Sequence, residues 1–155
     1  MLLQTWPLIL SLALLIQARG SLPGPVLECL TPGEKSQLST EKNIDKRVKI
    51  YETASTRLFD SVQSAVAKED FEAVPVKLRS WLELLNWSLT DIEESIKLKK
   101  TSKELIRFEI QLRKAILSMH DNKVTAPEDA HEALASWLNR AEEIRKRFVD
   151  ILFQR

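Results

Sequence analysis

The sequence predicts an all-α protein: an up-down bundle of about four helices behind an N-terminal signal peptide and a short linker. Three observations lead there. Apolar residues recur at spacings of 3 and 4 over long stretches, the signature of amphipathic helices. No glycine follows Gly33, so the later chain has no glycine-based hairpin turn and no glycine-rich phosphate loop. The one cysteine, Cys29, cannot form an internal disulfide or a cysteine-based zinc site, which leaves the fold to be held by side-chain burial.

The 155 residues suffice for one domain with its own core. Hydrophobic residues make up 44% and charged residues 29%, ordinary values for a globular chain. The full chain carries a net charge of +1, and residues 1–20 hold a single charged residue, Arg19; without them 22 basic residues face 22 acidic ones. That balance gives no electrostatic case for nucleic acid or an anionic membrane as the main partner.

Residues 1–20 read as an export signal. Leu8 to Ile16 is an apolar run broken only by Ser11, and Ala18-Arg19-Gly20 supplies small residues for a cut before Ser21. No Lys or Arg precedes the run, so an uncleaved anchor is the alternative, although the run is short of the ~20 residues a span needs. Glu28 before Cys29 argues against lipid attachment. Residues 21–33, with three prolines and two glycines, are expected to form a linker, and residues 34–155 the helical domain.

Each helix has its own warrant. Thr31-Pro32-Gly33-Glu34 is a capping box with proline at the first helical position, and predicts a short helix over about 34–40. Ile44, Val48, Tyr51, Ser55, Leu58, Val62 and Ala65 form one stripe of a helix over 41–68, widened by Ala54, Phe59 and Val66. Asp70 can cap the next, over 71–99, whose stripe is Phe71, Val74, Leu78, Trp81, Leu82, Leu85, Leu89, Ile92 and Ile96. Pro75 is tolerated near its start, and Lys97 to Lys100 put cations at its negative end. Thr101-Ser102-Lys103-Glu104 is a second capping box. It opens a helix to about 120 with a broad apolar face of Leu105, Phe108, Leu112, Ile116 and Met119, and Ile106, Ile110 and Leu117 beside them. His120 to Ala126 is expected as a loop. Thr125-Ala126-Pro127-Glu128 gives a third box for a last helix over 127–154, with the stripe Ala130, Leu134, Trp137, Ala141, Ile144, Phe148 and Ile151. No internal repeat is evident. The break at Lys68-Glu69-Asp70 faintly resembles the turn of a tetratricopeptide hairpin, but no 34-residue period follows.

Little in the sequence points to catalysis. Bundle di-iron sites need two Glu-x-x-His pairs. Only Glu128 with His131 fits, and His120 has Leu117 three residues before it, so no cofactor or metal is assigned. A mononuclear site from His120, Asp121, Glu128 and His131 is the sharper alternative to two solvated histidines beside a loop. No Gly-x-Ser-x-Gly elbow occurs. The carboxylates Asp91, Glu93, Glu94, Glu142 and Glu143 read as solvated helix faces. So do the basic clusters at Lys46–Lys49, Lys97–Lys100 and Arg145–Arg147. Asn86-Trp87-Ser88 matches the glycosylation sequon but lies mid-helix.

The one departure from a plain bundle is Trp87, about 200° from the main stripe of its helix, with Leu84 on the same side. The segment 81–89 is apolar nearly all round. Either this helix is central, or covered by residues 34–40, or Leu84 and Trp87 meet a protein partner or a second copy. The layout of signal, Leu30-Thr31-Pro32-Gly33-Glu34 and long charged helices resembles predicted secreted bacterial helical proteins. The Leu-Thr-Pro start is also similar to periplasmic stress proteins of the Spy/CpxP kind, although Glu34 replaces the glutamine of their Leu-Thr-x-x-Gln motif. The export signal, the lack of a catalytic motif and the apolar 81–89 segment lead to the expectation of a non-enzymatic, secreted or periplasmic protein, and the resemblances imply a bacterial one. It would act through protein–protein interaction or as an envelope component, with a stress chaperone or a metal-responsive sensor as alternatives. No nucleic acid and no stable membrane span after signal cleavage are expected.

Overall fold

The computed structural model describes residues 28–96 and 102–153, and the expected signal, the linker up to residue 27 and the Lys97–Thr101 segment lie outside the described residues. The chain is all-α. Five α-helices are described: α1 Pro32–Thr40, α2 Ile44–Ala67, α3 Ala73–Ile96, α4 Lys103–Thr125 and α5 His131–Phe153, with one 3-10 turn at Glu128–Ala130.

Capping chemistry sets most boundaries. The Thr31 box forms as expected: Thr31 Oγ1 accepts from the Glu34 N–H, and Glu34 Oε2 accepts from the Thr31 N–H at 2.7 Å. α2 starts at Ile44 rather than 41, because the Asn43 side chain takes the capping role by accepting from the Lys46 N–H. Its end is a Schellman turn. The Asp70 N–H reaches back to the Ala65 carbonyl and the Glu69 N–H to Val66, with Glu69 left-handed at φ 56. Asp70 then caps α3 through the Ala73 N–H.

At the other two expected boxes the helix boundaries differ. At the second, Ser102 is the cap, accepting from Leu105. At the third, α4 continues to Thr125 through what was expected to be loop. Two bonds explain it: the Asn122 amide donates to Gln63 Oε1 on α2, and the Thr125 hydroxyl donates back to the Asn122 carbonyl. With its hydroxyl turned into its own helix, Thr125 cannot cap the next one. The chain instead enters α5 through Pro127 and the 3-10 turn.

The expected stripes are the buried faces. Val48, Tyr51, Val62, Leu78, Trp81, Leu82, Leu85, Leu105, Phe108, Leu112 and Phe148 are all fully buried. Two tilted ring pairs, Phe59–Trp81 and Phe108–Phe148, have centroids 5.0 and 5.2 Å apart. Ser55, the polar break in the α2 stripe, accepts from Trp81 Nε1 at 2.9 Å, so neither polar atom is buried unsatisfied.

The helices alternate in direction, but the neighbours are not those of a simple ring. α2–α3 and α4–α5 are antiparallel hairpins, and these lie side by side with α2 along α4 and α3 along α5. The bonds Lys49–Glu104, Glu52–Arg107, Ser55–Gln111 and Gln63–Asn122 climb together, so α2 and α4 are parallel neighbours. α3 and α4, consecutive in sequence, therefore face each other across the diagonal. The side-by-side hairpins also bring out an echo that periodicity did not show: Leu78-Arg79-Ser80-Trp81-Leu82 on α3 recurs as Leu134-Ala135-Ser136-Trp137-Leu138 on α5.

Candidate functional site: the faces left open by the bundle

The Leu84–Trp87 face is covered by the chain itself. Arg47 on α2 donates from Nη1 to the Leu38 and Glu41 carbonyls at the end of α1 (2.7 and 3.1 Å), from Nε to Asp91 on α3 (2.8 Å), and from Nη2 to the Tyr51 hydroxyl. Arg57 binds both Glu34 oxygens and the Cys29 carbonyl. The segment from Cys29 to Thr40 is thus stapled across the α2–α3 groove, with Leu30 and Leu38 buried beneath it. Glu83 and Asp91, one turn either side of Trp87, mark its course: the Glu83 charge acts on Cys29, and Asp91 holds Arg47. Leu84 is completely buried, so the folded chain does not present it to a partner, and Trp87 is half-buried with its indole Nε1 enclosed and unbonded. Residues 28–33, expected as linker, belong to this cover.

Charge in this clamp is tightly matched. Burial, and the Asp91 carboxylate accepting its proton at 2.6 Å, raise the Tyr51 phenol above its ordinary value. Burial alone would raise the Glu34 carboxyl, but the Arg57 bonds and the Thr31 N–H outweigh it, and Glu34 sits below the usual carboxylate value. Asp91, expected on a solvated face, is a largely buried clamp residue. Two further pairs cross between helices, Arg147 with Glu93 and Arg145 with the buried Glu109, and Arg145 also pairs with Glu142 within α5. The Glu142 bond is the main cause raising the Arg145 pKa. Ser88, last residue of the sequon, is fully buried and donates to the Leu85 carbonyl.

The structure does not gather the histidine set into a ligand cluster. His120 is exposed on α4, while His131 sits at the start of α5 with Nε2 2.9 Å from the Ala126 carbonyl. Among the described residues no group of three or more His, Cys, Asp or Glu is placed to hold a metal ion, and no helix is long and apolar enough to cross a membrane. Burial raises the Cys29 thiol, away from the reactive thiolate.

One concave apolar site does emerge. Where the α2–α3 turn meets the start of α5, Phe71, Val74, Pro75, Pro127, Ala130, Ala133, Leu134 and Trp137 line a cleft of about 340 Å³. Trp137 is half-buried, and the Arg140 guanidinium lies 5.3 Å from its ring. Glu72 and Asp129 stand in the lining, and Glu69, Asp70, Glu128 and Glu132 are exposed on the same two segments. The cleft therefore offers apolar depth inside an acidic collar. In sequence these residues looked like stripe ends. The signal that could have found them was the coincidence of two prolines with acidic runs at helix starts.

No family model matches this sequence, and comparison with curated proteins and with solved structures gives no match.

Proposed function

We propose that this chain is an exported, non-catalytic helical protein that works by holding a partner protein, and that the Trp137 cleft is where it does so. The observation that carries the reading is the cleft: an indole and aliphatic side chains open on a cavity large enough for two or three side chains, with the Glu72 and Asp129 carboxylates in its lining. Apolar pockets with a few placed polar groups are the usual form of a binding site, and half-buried tryptophans are frequent anchors of interfaces. The collar selects the partner. A segment that inserts an aliphatic or aromatic side chain and carries a neighbouring Lys or Arg satisfies both parts. Export rests on the residue 1–20 pattern, and the absence of a positive clamp for phosphate fits a protein-directed site better than a nucleotide-directed one.

Site-specific photocrosslinking tests the reading. A benzophenone side chain at Ala133, in the cleft, should capture a discrete species in the producing cell; at Asn139, exposed on the same helix, it should not. Loss of the adduct on Trp137→Ala at unchanged helicity supports the cleft. Equal capture from both positions refutes it. A stress-chaperone role would show instead as suppressed aggregation of a reduced client, and a metal-sensing role as a melting point raised by divalent ions.

A further inference from the structure

Besides the cleft, the molecule exposes apolar side chains in one other organised place. Of its exposed large hydrophobic residues among those described, Ile106, Leu117 and Val124 share one face of α4, at 40%, 60% and 80% exposure. The partly exposed Ile110 lies between them. Positions 106, 110, 113, 117, 120 and 124 are spaced 4, 3, 4, 3, 4. This is the seam of a coiled coil, over roughly 27 Å at 1.5 Å per residue. The seam is a different face from the one α4 turns to the core through Leu105, Phe108, Leu112 and Met119. Its neighbours α2 and α5 pair with α4 through Arg107 and Glu109, which flank the seam on either side.

The polar content of the seam is one-sided. Ile110, Leu117 and Val124 repeat every seven residues, and the alternate positions are Ile106, Arg113 and His120. Exposed Lys103 and Lys114 lie on the α2 side, with a single exposed acid, Asp121, seven residues after Lys114. The groove beside them along α2 is lined by Glu52, Phe59, Arg107, Ile110, Gln111, Lys114 and Ala115. Arg113 is about half exposed, and its ion pair with Glu109 is long at 3.8 Å. Two copies of this ridge joined in parallel would set Arg113 against Arg113, two cations across one seam, which is costly, whereas an acidic partner meets each with a carboxylate.

We propose that the outer face of α4 docks an acidic amphipathic helix of a partner protein, in coiled-coil fashion. Leu117, Ile110 and Val124 pack into its aliphatic seam, and Arg113 and Lys114 meet its carboxylates. A ridge one helix wide fits a second helix, and the basic rim sets the sign of the partner's flanks. This surface stands apart from the Trp137 cleft, and neither reading depends on the other.

The test uses two fluorescein-labelled three-heptad peptides with identical leucine seams, one flanked by glutamate and one by lysine, titrated with the full chain and read by anisotropy. The glutamate peptide is expected to bind saturably and at least tenfold tighter than the lysine peptide. Leu117→Asp should weaken it at least tenfold without lowering the melting temperature, since Leu117 is mostly exposed. Arg113→Glu should narrow or invert the preference. Equal binding of both peptides, no saturable binding, or binding that survives Leu117→Asp overturns the proposal. So does retention on phosphatidylglycerol vesicles that Leu117→Asp abolishes while the peptide goes unbound, which would assign the ridge to a lipid surface.

Discussion

The Arg47–Tyr51–Asp91 clamp predicts how the chain responds to losing one oxygen atom. Tyr51 is the only tyrosine. Its ring is wholly buried, and its hydroxyl donates to Asp91 and accepts from Arg47. Tyr51→Phe keeps the ring and removes both bonds. Arg47 and Asp91 keep each other, and Arg47 keeps the Leu38 and Glu41 carbonyls, so no charge is orphaned. The expected loss is that of a buried hydrogen bond to charged groups, about 1.5–3 kcal/mol. In a chain of this size that is a fall in melting temperature of about 3–12 °C. Urea unfolding followed by helical circular dichroism measures it directly. A second reading comes from pH. The phenol pKa is raised in the folded state, so its contribution is fully present below the unfolded value of about 10 and is lost as pH rises from there through the folded value. Because there is one tyrosine, tyrosinate absorbance at 295 nm reports this group alone and should appear only together with loss of helix. The reasoning is refuted if Tyr51→Phe costs less than about 0.5 kcal/mol, or if tyrosinate forms near its ordinary pKa while the helices stay intact.

Three further outcomes are expected. Glu69 holds the left-handed position of the Schellman turn, where a side chain is strained and glycine is not. Glu69→Gly should therefore raise stability by roughly 0.5–1 kcal/mol, the relief of strain less the added chain entropy, and a lower urea midpoint would contradict this. Glu34 has a lowered carboxyl pKa, so its hold on the cover is present above the ordinary carboxylate range and lost as pH falls through the folded value. Cys29 should accordingly react faster with 4,4′-dithiodipyridine as pH drops towards 4, whereas in Glu34→Gln the rate should already be high at pH 6 and change little below it. Ser55→Ala leaves the Trp81 indole N–H without its acceptor in the core and should cost about 1–3 kcal/mol, whereas Thr56→Ala, on the exposed side of the same helix, should cost under about 0.5.

The helices were legible because each buries one stripe, and the 3–4 spacing states which one. Caps were legible where side-chain chemistry was local: Thr31 with Glu34, and Asp70. They failed where a tertiary bond competed. Asn122 reaching Gln63 carried α4 through the expected loop and left the Thr125 box unformed. Asp91 could not be told from its solvated neighbours, since its partners Arg47 and Tyr51 lie 44 and 40 residues away. The neighbour order was hidden for the same kind of reason. A stripe says that a helix has a covered side, not which helix covers it.

That distinction also decides where the interaction surfaces lie. Two helices carry apolar residues off their main stripe, Leu84 and Trp87 on α3 and Ile106, Ile110 and Leu117 on α4, and in sequence the two sets mean the same thing: a second face that needs covering. Among the described residues only the first has a cover. Leu30 and Leu38 of that cover are buried, and two arginines on α2 hold its carbonyls and Glu34. Among the described residues no such segment lies over the outer face of α4, where Ile106, Leu117 and Val124 are exposed. An off-stripe apolar face thus predicts an interface in both cases. In the first the other side is α1; in the second, as proposed above, it is another molecule, and Arg113, standing in that seam, sets the charge that molecule would bring.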